Sequence, residues 1–330
     1  MTETTVPAET ETLTLAKALN AAMHKALADD PQVLVMGEDV GKLGGVFRVT
    51  DGLQKEFGED RVIDTPLAES GIIGTAIGMA LRGYKPVCEI QFDGFVFPAA
   101  DQIITQLAKM HLRSLGNVQM PVVVRIPFGG GIGAVEHHSE SPEAYFTHTA
   151  GLRVMACSNP SDAYSMLRQA IACPDPVVFF EPKRRYWDKM AVDLNAPGVP
   201  MGEAVVVRPG TDATVLAYGP MVKTCLEAAE AWDRSLEVID LRSLSPLDMA
   251  TVNASVERTG RCVIVHEAPV FGGLGGEIAA RVTEACFYRL EAPVLRVGGF
   301  ATPYPSSRLE DHFLPDLDRV LFALDRTFSW

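Results

Sequence analysis

Apolar and polar positions follow two rhythms along this chain of 330 residues. In LTLAKALNAAMHKALADDP, Leu15, Leu19, Ala22, Met23, Ala26 and Leu27 recur at helical spacing and share one face. Thr12 or Thr14 can cap that helix, and Pro31 closes it. QVLVMGEDV is instead a continuous apolar run, the mark of a strand buried on both faces, and it leads into a glycine-rich turn, GKLGGVFRV. DGLQKEFGEDRVIDTP predicts a short helix and a second strand, and DTPLAESGIIGTAIGMALRG a helix after it. YKPVCEIQF predicts a third strand, FVFPAADQIITQLAKMHLRS an amphipathic helix and MPVVVRIPF a fourth strand. A polar loop, GGGIGAVEHHSESPEAYFTHTAG, separates these from LRVMACS, a helix from about Ser161 to Cys173, and DPVVFFEPK. Strands alternating with helices predict an α/β fold with a largely parallel sheet covered on both faces.

DKMAVDLNAPGVPMGE, bearing proline and glycine, breaks the rhythm, which then restarts. VVVRPGTDATVLAYG, a helix over 221–233, LEVIDLRSLSP, a helix from Met249, CVIVHEA, a helix from Glu277 and APVLRVGG predict a second, smaller α/β domain. The expected division is a tail at 1–11, a first domain at 12–188, a linker at 189–202 and a second domain at 203–330. Two domains suit this length. The acidic tail MTETTVPAETE lacks the basic and apolar features of a signal or transit peptide and is expected to be disordered.

A net charge of -13 and a pI near 5.0 disfavour nucleic acid and anionic membrane surfaces, which attract Lys and Arg. No apolar run approaches the ~18 residues that would span a bilayer. The six cysteines (Cys88, Cys157, Cys173, Cys225, Cys262, Cys286) are scattered without a C-x-x-C pair. Reduced core thiols in a cytoplasmic protein are the expectation.

Candidate chemistry concentrates in two stretches. In DTPLAESGIIGTAIGMALRG, one carboxylate, Glu69, stands near the start of an apolar run, and Gly71, Gly74, Thr75 and Gly78 follow on one helix face. The plain reading is a helix N-terminal carboxylate favoured by the macrodipole beside a stripe that admits close packing. The sharper one is a carboxylate held at a seam, where its proton affinity can be tuned. In the long loop, Gly129-x-Gly131-x-x-Ala134 matches a dinucleotide fingerprint formally, but no helix follows at once to receive a pyrophosphate. His137, His138 and His148 invite a metal reading, yet adjacent histidines in extended backbone point apart and no H-E-x-x-H or cysteine partner supports it. A loop histidine at a strand's carboxyl end, where open α/β sheets place ligands, remains a candidate acid/base group. No G-x-S-x-G elbow, P-loop or kinase signature is present.

Five ordered blocks carry a resemblance: GEDVGKLGGVFRVTDGL, RVIDTPLAESGIIGTAIGMA, EIQFDGFVFPAADQI, HHSESPEAYFTHTAGLRV and FFEPKRRYW. Together they resemble the beta subunit of the thiamine-diphosphate-dependent decarboxylase component of 2-oxoacid dehydrogenase complexes, over about residues 12–330. The resemblance implies a pyrimidine-binding α/β domain followed by a transketolase C-terminal-like domain. It implies that Glu69 activates the cofactor by hydrogen-bonding its aminopyrimidine ring, and that Leu67, Gln91 and Phe95 line that pocket. Relatives carry tyrosine where Phe95 stands, so the aromatic face stays and a hydroxyl contact goes. By its place in HSESPEA, His138 corresponds to the histidine that handles protons when a lipoyl group on the acyltransferase component is acylated, with His137 ranked behind it.

The GDG motif and downstream Asn pair that hold Mg2+ and the diphosphate are absent. The resemblance therefore implies half a site, completed by an alpha subunit in a heterotetramer of two alpha and two beta subunits. A potassium ion held by backbone carbonyls would fall at Val122, Val123, Ala170, Cys173 and Asp175. FFEPK and HSESPEA favour branched-chain 2-oxo acids as substrate, with pyruvate or acetoin as the alternative. The rivals in other classes are a non-catalytic scaffold docking the acyltransferase and a self-contained transketolase-like enzyme.

Overall fold

A computed structural model describes residues 10–330. The expected tail lies outside these residues, except that Thr10 and Glu11 belong to a strand, β1 (Thr10–Thr14). Helix α1 (Leu15–Asp29) follows directly, capped by the Thr14 hydroxyl, which accepts from the Lys17 N–H at 3.2 Å.

The first large sheet is built from β2 (Val33–Gly37), β3 (Val62–Asp64), β4 (Lys85–Glu89), β5 (Val123–Phe128), β6 (Arg153–Ala156) and β7 (Val177–Pro182). Short helix α2 (Leu53–Phe57) precedes β3, and α3 (Glu69–Leu81) follows it. α4 (Ala108–Arg113) leads towards β5, α5 (Glu143–Thr147) lies in the long loop, and α6 (Pro160–Ala172) joins β6 to β7. Helices α1 and α6 cover one face with Leu19, Met23, Met166 and Leu167, while Ile73, Ile77, Val96 and Ile103 cover the other.

β8 (Lys189–Asp193) pairs antiparallel with β1, Thr10 opposite Asp193. The front of the segment expected to be a linker is thus a strand that ties the chain's beginning to this domain. The second sheet holds β9 (Val205–Arg208), β10 (Ala213–Ala217), β11 (Leu236–Asp240), β13 (Cys262–Pro269) and β14 (Leu295–Gly299), in the order β14-β13-β10-β11-β9. All its pairings are parallel except β11 with β9. Its helices are α7 (Met221–Ala231), α8 (Met249–Thr259), α9 (Leu274–Cys286), α10 (Glu310–Phe313) and α11 (Leu317–Arg326).

Two departures from the sequence reading have physical causes. The helix expected over FVFPAADQIITQLAKMHLRS is a 3₁₀ segment, Asp93–Ala99, then a π-turn segment, Gln102–Leu107, and only then α4. Pro98 has no N–H to continue an α-helix, and the Thr105 hydroxyl bonds back to the Asp101 carbonyl at 2.7 Å, which loosens the turn. LEVIDLRSLSP, read as one element of the second domain, ends its strand at Asp240 and crosses over. Its β12 (Ser243–Ser245) pairs antiparallel with β6, so the first sheet has the order β12-β6-β7-β5-β4-β2-β3. All six cysteines are buried and unpaired, and no helix among the described residues is long and apolar enough to cross a membrane.

Candidate active site

Parallel strands bring their carboxyl ends to one edge of the sheet, and the loops leaving that edge carry the chemistry. β3, β2 and β4 are neighbours, so the segments after them, around Leu67–Glu69, Glu38–Asp39 and Gln91–Phe95, emerge side by side. Asp64 fixes the loop after β2 by accepting the Gly41 N–H at 2.6 Å. Glu69 is the first residue of α3 and only 9% exposed. Ala68 supplies no side-chain cap, and among the described residues no hydrogen bond reaches the Glu69 carboxylate. Glu38 is pushed above the usual carboxylate range, first by burial, then by the charges of Asp39 and Glu69. Gln91 reaches the Glu38 carbonyl and the Asp39 carboxylate, each at 3.4 Å. Leu67 is 65% exposed, and Gly71, Gly74, Thr75 and Gly78 all lie on the outer face of α3.

The loop after β5 supplies the other end of the site. His137 and His138 lie in a 3₁₀ turn, Glu136–His138, not in extended backbone, so both rings reach Phe95, at 5.9 and 5.2 Å between centroids. The His138 ring also lies 4.0 Å from the Phe92 ring, and its Nδ1 is buried without a partner. Burial first, then His137 and Lys183, lowers the pKa of His138 and keeps it in the neutral form that can take a proton. Among the described residues no cluster of His, Cys, Asp and Glu could hold a metal ion, and His148 stands apart after α5, exposed.

Charged residues that the sequence reading passed over anchor this edge. Arg125 on β5 is fully buried between Glu89 of β4 and Glu181 of β7, with contacts of 2.6 to 2.9 Å. Tyr186 adds a hydroxyl donated to Glu181 at 2.7 Å. Lys183 is buried against the Asp93 carboxylate and donates to the His138 carbonyl at 2.6 Å. Asp93 in turn accepts the Glu140 N–H at 2.8 Å. A signal for the Arg125 cluster was visible: Arg125 and Glu181 are the single charges of the apolar strands VVRIPF and VVFFEP, Glu89 ends KPVCE, and a buried charge needs a partner.

The two segments expected to hold potassium do meet. The Met120 N–H donates to the Pro174 carbonyl at 3.0 Å and the Val177 N–H to the Val122 carbonyl at 2.9 Å. The Ala170 carbonyl accepts from the Cys173 N–H, Val123 sits in the ladder with Val177, and the Asp175 carboxylate is turned to Arg153 at 2.9 Å.

Residues 11–188 match the transketolase pyrimidine-binding domain and residues 202–320 the transketolase C-terminal domain. A solved chain described as a split gene transketolase, inactive beta4 tetramer, shares the fold. Its TM-score is 0.78 at 22% identity, covering 96% of this chain and 98% of that one. The pyruvate dehydrogenase E1 component subunit beta of Leifsonia xyli subsp. xyli is 60% identical over 97% of this chain and 96% of its own length. The 3-methyl-2-oxobutanoate dehydrogenase subunit beta of Mycobacterium tuberculosis is 58% identical over 96% and 92%. The chain belongs to the family of 2-oxoacid dehydrogenase beta subunits. Activity in this family depends on thiamine diphosphate and on a heteromeric enzyme with an alpha subunit. As one such beta subunit, the chain has features that fit a shared cofactor site: an unpartnered carboxyl at an uncapped helix start, an exposed leucine beside it and an outward-facing small-residue stripe.

Proposed function

We propose that this chain is the beta subunit of a branched-chain 2-oxoacid dehydrogenase, acting with its alpha subunit to decarboxylate 3-methyl-2-oxobutanoate and acylate a lipoyl group. The observation that carries the catalytic part is Glu69 at the first position of α3, at the open edge of the sheet, with no hydrogen bond to its carboxylate from the described residues. When bound, thiamine diphosphate supplies the carbon nucleophile and the electron sink for loss of carbon dioxide. Glu69 would hold its aminopyrimidine ring by a hydrogen bond, Leu67, Gln91 and Phe95 would line the wall around it, and the alpha subunit would cover the open side and hold Mg2+. Neutral His138, backed by Phe92 and Phe95, moves the proton during lipoyl acylation. The small residues on the outer face of α3 let the alpha subunit approach closely in a heterotetramer. Residues 12–188 form the catalytic domain and 203–330 the second domain, the enzyme works in the cytoplasm, and potassium carried by the Val122 and Ala170 segments is a subsidiary part of the reading.

The branched-chain substrate is supported by the relative at 58% identity and by the 2-oxoisovalerate dehydrogenase subunit beta of Pseudomonas aeruginosa, 47% identical over 96% of this chain. The Leifsonia relative, named for pyruvate at 60% identity, favours a second reading, pyruvate. Apolar pockets separate such substrates by only ~1–3 kcal/mol per methylene, so rates decide. Steady-state kcat/KM of the reconstituted complex is expected to favour 3-methyl-2-oxobutanoate about tenfold or more over pyruvate; the reverse preference overturns the substrate assignment.

A further inference from the structure

The loop that carries His138 begins with Gly129, Gly131 and Gly133 at positive φ (81°, 84° and 72°). Successive N–H groups in such alternating backbone converge into a concavity that binds anions. In a nucleotide-binding protein a phosphate fills it. Here the chain's own second domain does. Glu310 of α10 accepts the Gly131 N–H through Oε1 and the Gly133 N–H through Oε2, each at 2.9 Å. Glu267 of β13 accepts the Gly130 N–H at 3.1 Å and pairs with Arg184 at 2.7 Å through its other oxygen. The Tyr304 hydroxyl donates to Glu310 Oε1 at 2.6 Å. Both glutamates are buried, 4% and 5% exposed. A side chain at Gly130 would collide with the Tyr304 hydroxyl, so the approach is specific to glycine.

We propose that Glu310 and Glu267 are positioning residues: their carboxylates occupy the anion concavity of residues 129–133 and so determine where the His138 ring stands for lipoyl acylation. The far end of the loop is held separately, by Lys183 on the His138 carbonyl and Asp93 on the Glu140 N–H. The second domain holds the near end through Glu267 and Glu310 and, beyond His138, meets α5 where Tyr218 donates to Glu143. The consequence for acylation rests on the role given to His138 above; the tether itself does not.

Glu310→Gln keeps the shape but turns an amide NH2 towards an N–H that needs an acceptor. In the reconstituted heterotetramer with thiamine diphosphate and Mg2+, this variant is expected to exchange the amide hydrogens of residues 130–133 about tenfold faster or more. Its kcat for acylation of a lipoyl domain should fall about tenfold, while decarboxylation measured with an artificial electron acceptor stays within about twofold. Tyr304→Phe, which leaves both glycine bonds in place, should show the same pattern more weakly, and it serves should Glu310→Gln fail to assemble. Unchanged amide exchange in both variants overturns the tether. Equal loss of both half-reactions in an assembled enzyme overturns the positioning role. Faster exchange in Glu310→Gln with acylation unaffected in His138→Ala supports the tether and removes only the role of His138.

Discussion

At one end of the strand row, Glu69 and Gln91 stand beside Leu67, which is 65% exposed. At the other, the loop after β5 is tied to the second domain, where Glu267 and Glu310 accept the N–H groups of Gly130, Gly131 and Gly133. Both regions use carboxylates, yet in opposite ways. Glu310 is fully engaged and acts as structure, since a buried carboxylate is tolerable when hydrogen bonds replace its lost hydration. Glu69 accepts no hydrogen bond from the described residues, which leaves its carboxylate open to a ligand. The contrast locates the unfinished side of the site: the side that the alpha subunit would cover.

Glu69→Gln is the strongest way to break this contrast. It should lower decarboxylation by ~10²-fold or more, the usual scale for a proton-handling carboxyl, while the heterotetramer still assembles by size-exclusion chromatography. Activity near that of the unaltered enzyme would sink the assignment. On the tethered side, Lys183→Met removes the cation between Asp93 and the His138 carbonyl. Leaving Asp93 buried and uncompensated should cost ~3–5 kcal/mol in urea unfolding, whereas a loss below about 1 kcal/mol would show that the pair is not essential to the loop.

A pH measurement sharpens the same point through Glu143 on α5, which is buried and accepts the Tyr218 hydroxyl of the second domain at 2.5 Å. Burial pushes its pKa up to about 7 against 4.5 for a free side chain. The unfolded chain therefore releases this proton near 4.5 and the folded chain only near 7, so stability falls as pH rises through that window. Glu143→Gln abolishes the loss and should be more stable than the unaltered chain at pH 8 by up to about 3 kcal/mol, with little difference at pH 4.5. A pH-independent difference would contradict this. The smallest effect is expected from Phe95→Tyr. Phe95 lies against His137 and His138 by its ring faces and edges, so both half-reactions should stay within about threefold.

Much of this architecture was legible from local pattern. α1 and its Thr14 cap, the buried strands and the helix beginning at Glu69 all follow from periodicity within a dozen or so neighbouring residues. The five sequence blocks carried Glu69 and His138 to their places at the sheet edge. Part of what was missed shares one property, large separation along the chain. β12 completes the first sheet from the far side of the second domain's opening strands. Glu310 meets Gly131 across 179 residues. The turn that brings His137 and His138 to one aromatic face was also missed, because spacing alone does not distinguish a 3₁₀ turn from extended backbone.

Residue types and their spacing determined, without coordinates, that the chain alternates strand and helix, carries one carboxyl at the head of a glycine-striped helix, and lacks the motif that would hold a diphosphate. Periodicity and side-chain chemistry are local, and local order suffices to read them. Tertiary structure alone decided that the glycine-rich loop binds the protein's own carboxylates in place of a nucleotide, and that among the described residues no hydrogen bond reaches the Glu69 carboxylate. Both outcomes depend on which distant groups reach the same few ångströms. A hydrogen bond is settled at that range, however far apart its atoms lie in sequence.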